Sequence, residues 1–190
     1  MKKIFLLLIT VTFFTCQQHN NNTFITHFEK TEGLETPEYH DVINYYQELS
    51  SIYSEISVFE MGETDAGLPL HLVVYNTDGK TQLNSIKNSK KNRVLINNGI
   101  HPGESDGIDA SMLLLRDIVQ NDSLKKQYQN TIISVIPVYN IGGSLNRNSH
   151  SRANQSGPKE YGFRGNTRNY DLNRDFIKQD TKNAAALKFP

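Results

Sequence analysis

The sequence predicts an α/β domain, a mixed β-sheet flanked by helices, and three observations carry that prediction. Two short runs rich in Val, Ile and Leu, at 93–98 and 131–138, have the length and composition of sheet strands. Between them Ile108, Met112, Leu115 and Val119 recur at helical spacing, so an amphipathic helix separates two buried strands. Upstream, strand-like runs at 56–61 and 68–75 flank Gly62-Glu-Thr-Asp-Ala-Gly67-Leu, a hairpin with a glycine-bounded tip.

Taken in chain order, the first segment is a targeting signal. Met1-Lys2-Lys3 is a basic start, and Ile4 to Phe14 is an apolar stretch too short to span a bilayer. Cys16 sits where such a signal is cut, and as the only cysteine it makes no internal disulfide. Two readings stand: a bacterial lipoprotein in which Cys16 is lipidated, or an ordinary secretory signal with an incidental cysteine. Either exports the chain, and the first tethers it to a membrane, periplasmic or outer-membrane-associated. Residues 1–16 are therefore assigned to the signal, 17–32 to a polar linker marked by Asn20-Asn21-Asn22, and 33–190 to the domain.

Within the domain, Val42, Tyr45, Tyr46 and Leu49 predict a short helix over 41–50. Residues 76–92 are polar, carry four lysines and the turn Asp78-Gly79, and read as an exposed connection. The helix over 106–120 is expected to start at Asp106 as N-cap, with Asp109 favourably placed in its first turn. The near-continuous Ile/Val run at 131–138 predicts a strand covered on both faces. From Asn140 to Tyr170 the chain runs in Gly, Asn, Ser and Arg, and loops of that length commonly serve a site. Lys plus Arg equals Asp plus Glu at 20 each, so no basic surplus points to nucleic acid.

Two constellations carry chemistry. His101-Pro102-Gly103-Glu104 places an imidazole and a carboxylate in a strand-to-helix loop, where α/β sheets present ligands, and both are ligands suited to zinc. Pro102 biases His101 toward an extended backbone, and Gly103 permits a sharp turn that lets the side chains converge. Arg164-Gly-Asn166-Thr-Arg168-Asn169-Tyr170-Asp171-Leu172-Asn173-Arg174-Asp175-Phe176 is the second. Its guanidinium and amide groups suit a carboxylate, and Leu172 and Phe176 read as anchors holding Asn173 and Arg174 to the domain.

With Pro137-Val-Tyr-Asn140-Ile-Gly-Gly143 between them, these motifs make the chain resemble the zinc metallocarboxypeptidases, the carboxypeptidase A-like peptidases, across roughly residues 54 to 180. The resemblance implies His101 and Glu104 as ligands of one zinc ion, and Asn173 and Arg174 as the clamp for a peptide's free C-terminal carboxylate. It implies Arg164 as the arginine that stabilises the oxyanion, with Arg152 as its rival. Asn169 stands where the family commonly has glycine, and Ile141-Gly142 replaces a frequent Pro-Asp.

The family also uses a second zinc histidine and a glutamate base farther downstream. After Glu104 the only histidine is His150 and the only glutamate is Glu160, both ahead of Asp171, out of family order. The sequence thus resembles the N-terminal part of the catalytic domain, truncated at the C-terminus, and the 190 residues alone are expected to be inactive and poorly soluble. Three alternatives stand beside the carboxypeptidase. One is a zinc amidohydrolase or deacylase on the same scaffold; another is a non-catalytic, membrane-tethered peptide-binding lipoprotein; the last is the inert product of a broken gene.

Overall fold

Strand and helix signals resolve into a four-stranded sheet in the computed structural model, which describes residues 24–187. The signal segment and Cys16 lie outside the described residues.

The stretch assigned to a linker joins the fold from Phe24 onward. Phe24 is buried among Tyr45 and the rest of the main core, and α1 (His27–Lys30) follows it. A capping box starts that helix: Thr26 Oγ1 accepts from Glu29 N at 3.2 Å, and Glu29 Oε2 accepts from Thr26 N at 2.9 Å. Phe24, Ile25 and Phe28 are the few apolar residues in a polar run and gave no extended periodic signal, so composition alone read this stretch as linker. Helix α2 (Tyr39–Ile52) buries Val42, Tyr45, Tyr46 and Leu49, the face its spacing predicts.

Strands β1 (Ile56–Glu63) and β2 (Pro69–Tyr75) pair antiparallel, Ile56 opposite Tyr75, as the hairpin signal requires. The connection at 76–92 contains a short helix, α3 (Leu83–Lys87). Strand β3 (Asn92–Asn97) leads through the His101 loop into α4 (Asp106–Gln120) and α5 (Asp122–Gln127). Strand β4 (Thr131–Ile136) returns parallel to β3, Asn92 opposite Thr131 and Asn97 opposite Ile136. The sheet order is β1-β2-β4-β3, antiparallel at β2–β4 and therefore mixed. Helix α6 (Ile141–Leu145), a 3₁₀ turn (Leu172–Arg174) and α7 (Lys182–Ala186) complete the described chain.

Burial explains the layering. One face of β2 and β4 sends Val73, Tyr75 and Val135 against Tyr46, Leu49, Met112 and Leu115 of α2 and α4. The other face sends Leu70, Leu72, Val74 and Ile136 against Tyr139, Leu172 and Ala186. Strand β3 lies at the sheet edge, where Val94 and Leu95 are 45% and 48% exposed. Among the described residues no helix is long and apolar enough to cross a membrane.

Helix α4 begins at Asp106 itself, the residue expected as its cap: Ser105 is the N-cap, and it makes no side-chain capping bond. The turn closed by Glu104 N donating to His101 O already brings Ser105 into helical conformation. Asp109 faces the interior rather than the helix dipole alone, and Thr36 Oγ1 donates to its Oδ2 at 2.9 Å. Burial pushes the Asp109 carboxyl up to about 6, against the lowering effect of the Thr36 bond.

Candidate metal and carboxylate site

The site begins where β3 and β4 end. Beyond the strands, Tyr139 N donates to Asn98 O at 2.8 Å and Asn140 N to Gly99 O at 3.0 Å, so the two chains stay paired up to the His101 loop. Gly99 has φ +64, and an added Cβ would lie 3.3 Å from Ile108 and Val138 atoms, so glycine is required at this bend. Asn140 is fully buried and joins three segments. Its Nδ2 donates to Arg164 O at 2.9 Å and to Ile100 O at 3.4 Å, while its Oδ1 accepts from Gly143 N at 2.8 Å. Gly143 and Gly162 let these segments touch: Phe163 N donates to Gly143 O at 2.8 Å, and a Cβ on Gly162 would sit 2.5 Å from Pro102 Cβ.

His101 is 8% exposed, and its two ring nitrogens face different carboxylates. Nε2 lies 2.8 Å from Asp171 Oδ1, a hydrogen bond, whereas Nδ1 lies 3.5 Å from Glu104 Oε1. With the proton on Nε2 the ring donates to Asp171, which leaves the Nδ1 lone pair directed at the Glu104 side. The Nδ1–Oε1 separation is long for a hydrogen bond. It matches the edge of about 3.4 Å expected between two ligands held tetrahedrally at about 2.1 Å from one zinc ion. A histidine whose far nitrogen is fixed by a carboxylate is the usual support for a zinc-binding imidazole. His101 and Glu104 therefore fit zinc.

Asp171, which the motif contained but to which sequence reasoning gave no role, organises the neighbourhood. The same Oδ1 that takes His101 also accepts from Asn173 N at 3.0 Å and caps the 3₁₀ turn carrying Asn173 and Arg174. Oδ2 accepts from Arg164 Nη2 at 2.9 Å and from Arg164 Nε at 3.2 Å. Partial burial pushes this carboxyl up, but the donors from His101, Asn173 N and Arg164 outweigh it and hold the group at about 2. The signal that could have found Asp171 is its place two residues before Asn173, within the run that the Leu172 anchor fixes.

That anchor is fully buried, and Phe176 stacks on Tyr139 with ring centroids 5.8 Å apart and planes 8° from parallel. The turn is thus held from below by apolar contacts while Asn173 and Arg174 stay exposed, Arg174 Nη1 donating to Asn173 O at 3.2 Å. Asn169 has φ +60, the left-handed conformation that explains why glycine is common there and why asparagine serves.

The structure brings His101, Glu104, Asp171, Arg164 and Arg152 into one network. Arg164 sits on Asp171, and Arg152 Nη2 donates to Glu104 Oε1 at 2.9 Å. Partial burial raises the Glu104 carboxyl, but Arg152 first, then His101 and Arg164, bring it below its usual range. His150 and Glu160 are exposed, and among the described residues no group of three or more His, Cys, Asp or Glu side chains could hold a metal ion.

Comparison with known proteins gives the family and the fold. The sequence profile of the zinc carboxypeptidase family matches residues 42–188. Among solved structures, a metallo-carboxypeptidase from Burkholderia cenocepacia superposes with a TM-score of 0.55 at 20% identity, covering 75% of this chain and 34% of its own. Carboxypeptidase A from Helicoverpa armigera gives 0.53 at 15% identity, with 80% and 41% covered. Bovine thrombin-activatable fibrinolysis inhibitor, in complex with tick carboxypeptidase inhibitor, gives 0.60 at 13% identity, with 80% and 54% covered. These likenesses show the fold, and the chain spans between 34% and 54% of the lengths of these structures. No match is found among curated proteins.

Proposed function

This chain belongs to the zinc carboxypeptidase family, and from that premise we propose that it is part of a zinc-dependent metallocarboxypeptidase that removes C-terminal amino acids from peptides. The observation that carries the reading is the 2.8 Å bond from His101 Nε2 to Asp171 Oδ1. It turns Nδ1 toward Glu104 and, through the cap on Asn173 N, ties the metal ligands to the carboxylate clamp.

Zinc bound by His101 and Glu104 would supply Lewis acidity for the scissile carbonyl and acidity for water. The remaining work belongs to the chain's own groups. Arg174 and Asn173 select a free terminal carboxylate, the guanidinium through two parallel hydrogen bonds and the amide through a third. Arg164 swings from Asp171 toward charge developing on the carbonyl oxygen. Arg152 is its rival for that task, and each guanidinium is paired with a carboxylate, Arg152 with Glu104 and Arg164 with Asp171. Two ligands are one fewer than a catalytic zinc ordinarily takes from protein, and among the described residues no group of three or more ligands is assembled, so on this reading these residues bind without turning substrate over. The same shortfall favours one second reading, a peptide-binding module that keeps the clamp without turnover. Export by the segment at 1–16, with Cys16 lipidated and the protein periplasmic or outer-membrane-associated, completes the proposal.

The test is binding of a peptide with a free C-terminus against its C-terminal amide, measured by calorimetry with and without zinc. Preference for the acid, lost in Arg174→Ala, supports the clamp, and zinc uptake lost in His101→Ala supports the ligands. Equal affinity for acid and amide would refute the carboxypeptidase reading.

A further inference from the structure

The loop at 152–155 reaches back over the turn that bears the two metal ligands. Gln155 Nε2 donates to Gly103 O at 2.9 Å, and Arg152 N donates to the hydroxyl of the buried Tyr161 at 3.2 Å. The Arg152 stem crosses so close to Gly103 that a Cβ there would overlap its Nε and lie 2.9 Å from its Cδ. Only glycine lets the guanidinium pass, and it ends on Glu104, Nη2 to Oε1 at 2.9 Å.

The oxygen it takes is the one that faces His101 Nδ1. A dication seated between Nδ1 and Oε1 would share that oxygen with a guanidinium a few ångströms away, and the two cations repel. Resting on the reading of His101 and Glu104 as zinc ligands, we propose that Arg152 competes with the metal ion for Glu104 Oε1, so that loading the site requires Arg152 to release its bond. Arg152 then sets the metal affinity of the site. The loop from Arg152 to Gln155 is the element that moves when metal enters.

The experiment is a zinc titration of the chain by calorimetry, at low micromolar concentration, with circular dichroism to confirm that each variant folds. Arg152→Gln is expected to bind zinc about tenfold more tightly, since the pair is partly exposed and its loss also removes a like charge. Arg152→Lys, which keeps charge on a shorter reach, is expected to fall between. Unchanged or weaker binding in Arg152→Gln overturns the proposal, weaker binding meaning that Arg152 steadies Glu104 as a ligand. Zinc uptake that is undetectable, or that survives His101→Ala, instead removes the ligand reading and the proposal with it, a separate result. A second measurement needs no variant. Phenylglyoxal modification of Arg152, mapped by mass spectrometry against the exposed Arg93, is expected to speed up several-fold with zinc, and an unchanged or slower rate overturns the proposal.

Discussion

Replacing Asp171 by alanine removes one carboxylate and three different supports. The bond to His101 is charge-assisted by the ionised Asp171 carboxylate, and its loss strands the ring N–H of a side chain only 8% exposed, which costs about 1–3 kcal/mol. The Arg164 pair is half exposed on the arginine side, so screening holds its share to about 0–1 kcal/mol. The cap on Asn173 N adds about 1 kcal/mol. Asp171→Ala is therefore expected to lower unfolding stability by about 2–5 kcal/mol, and to weaken zinc binding by about 10–100-fold because His101 loses its orientation. Asp171→Asn keeps an acceptor and one cap bond and is expected to fall between. Urea unfolding gives the first quantity and zinc calorimetry the second, and the unfolding is repeated in a His101→Ala background. If Asp171 aims the histidine, Asp171→Ala costs less stability in that background, where only its bonds to Asn173 N and Arg164 remain to be lost. Zinc affinity unchanged in Asp171→Ala would refute the assignment of Asp171 as the group that aims His101.

Three other outcomes are expected. Because the Asp109 carboxyl is raised to about 6 in the fold, the fold favours its protonated form; stability should be full below the unfolded value near 4 and decline as pH rises to about 6, by up to about 3 kcal/mol. Urea unfolding between these pH values should show that slope, and Asp109→Asn should flatten it. Gly143→Ala places a methyl group against Phe163 O and 2.7 Å from Asn140 Nδ2, so it should cost about 1–3 kcal/mol or more and loosen the segment carrying Arg164, seen as faster amide exchange at Phe163. The half-exposed Val94 and Leu95 on the β3 edge should make the chain self-associate with rising concentration, and Leu95→Lys should reverse that in light scattering.

The layered core was legible because its signals are local and repeated. Ile108, Met112, Leu115 and Val119 each fall where a 3.6-residue period puts them, and all four are buried. The His101 loop was legible as chemistry because the Asp171-Leu-Asn173-Arg174 run stands downstream of it, the histidine and glutamate alone being a short pattern that arises often by chance. What stayed hidden depends on contacts distant in sequence. Thr36 meets Asp109 across 73 residues, and His101 meets Asp171 across 70, and neither partner announces the other. Arg164 stood ahead of Arg152 as sequence only through the resemblance, Arg-x-Asn shortly before Asp171-Leu-Asn-Arg, and their pairing with different carboxylates, Arg152 with Glu104 and Arg164 with Asp171, had no local signal.

Asn140 has a consequence of its own. Every bond its side chain makes to Ile100, Gly143 and Arg164 runs between neutral groups in the interior. The spacing between the His101 loop and the segment carrying Arg164 is thus held by a strut that has no charge to titrate. Titrating the surrounding carboxylates alters what this site attracts while that spacing stays put, and shape and charge can be tuned here as independent variables.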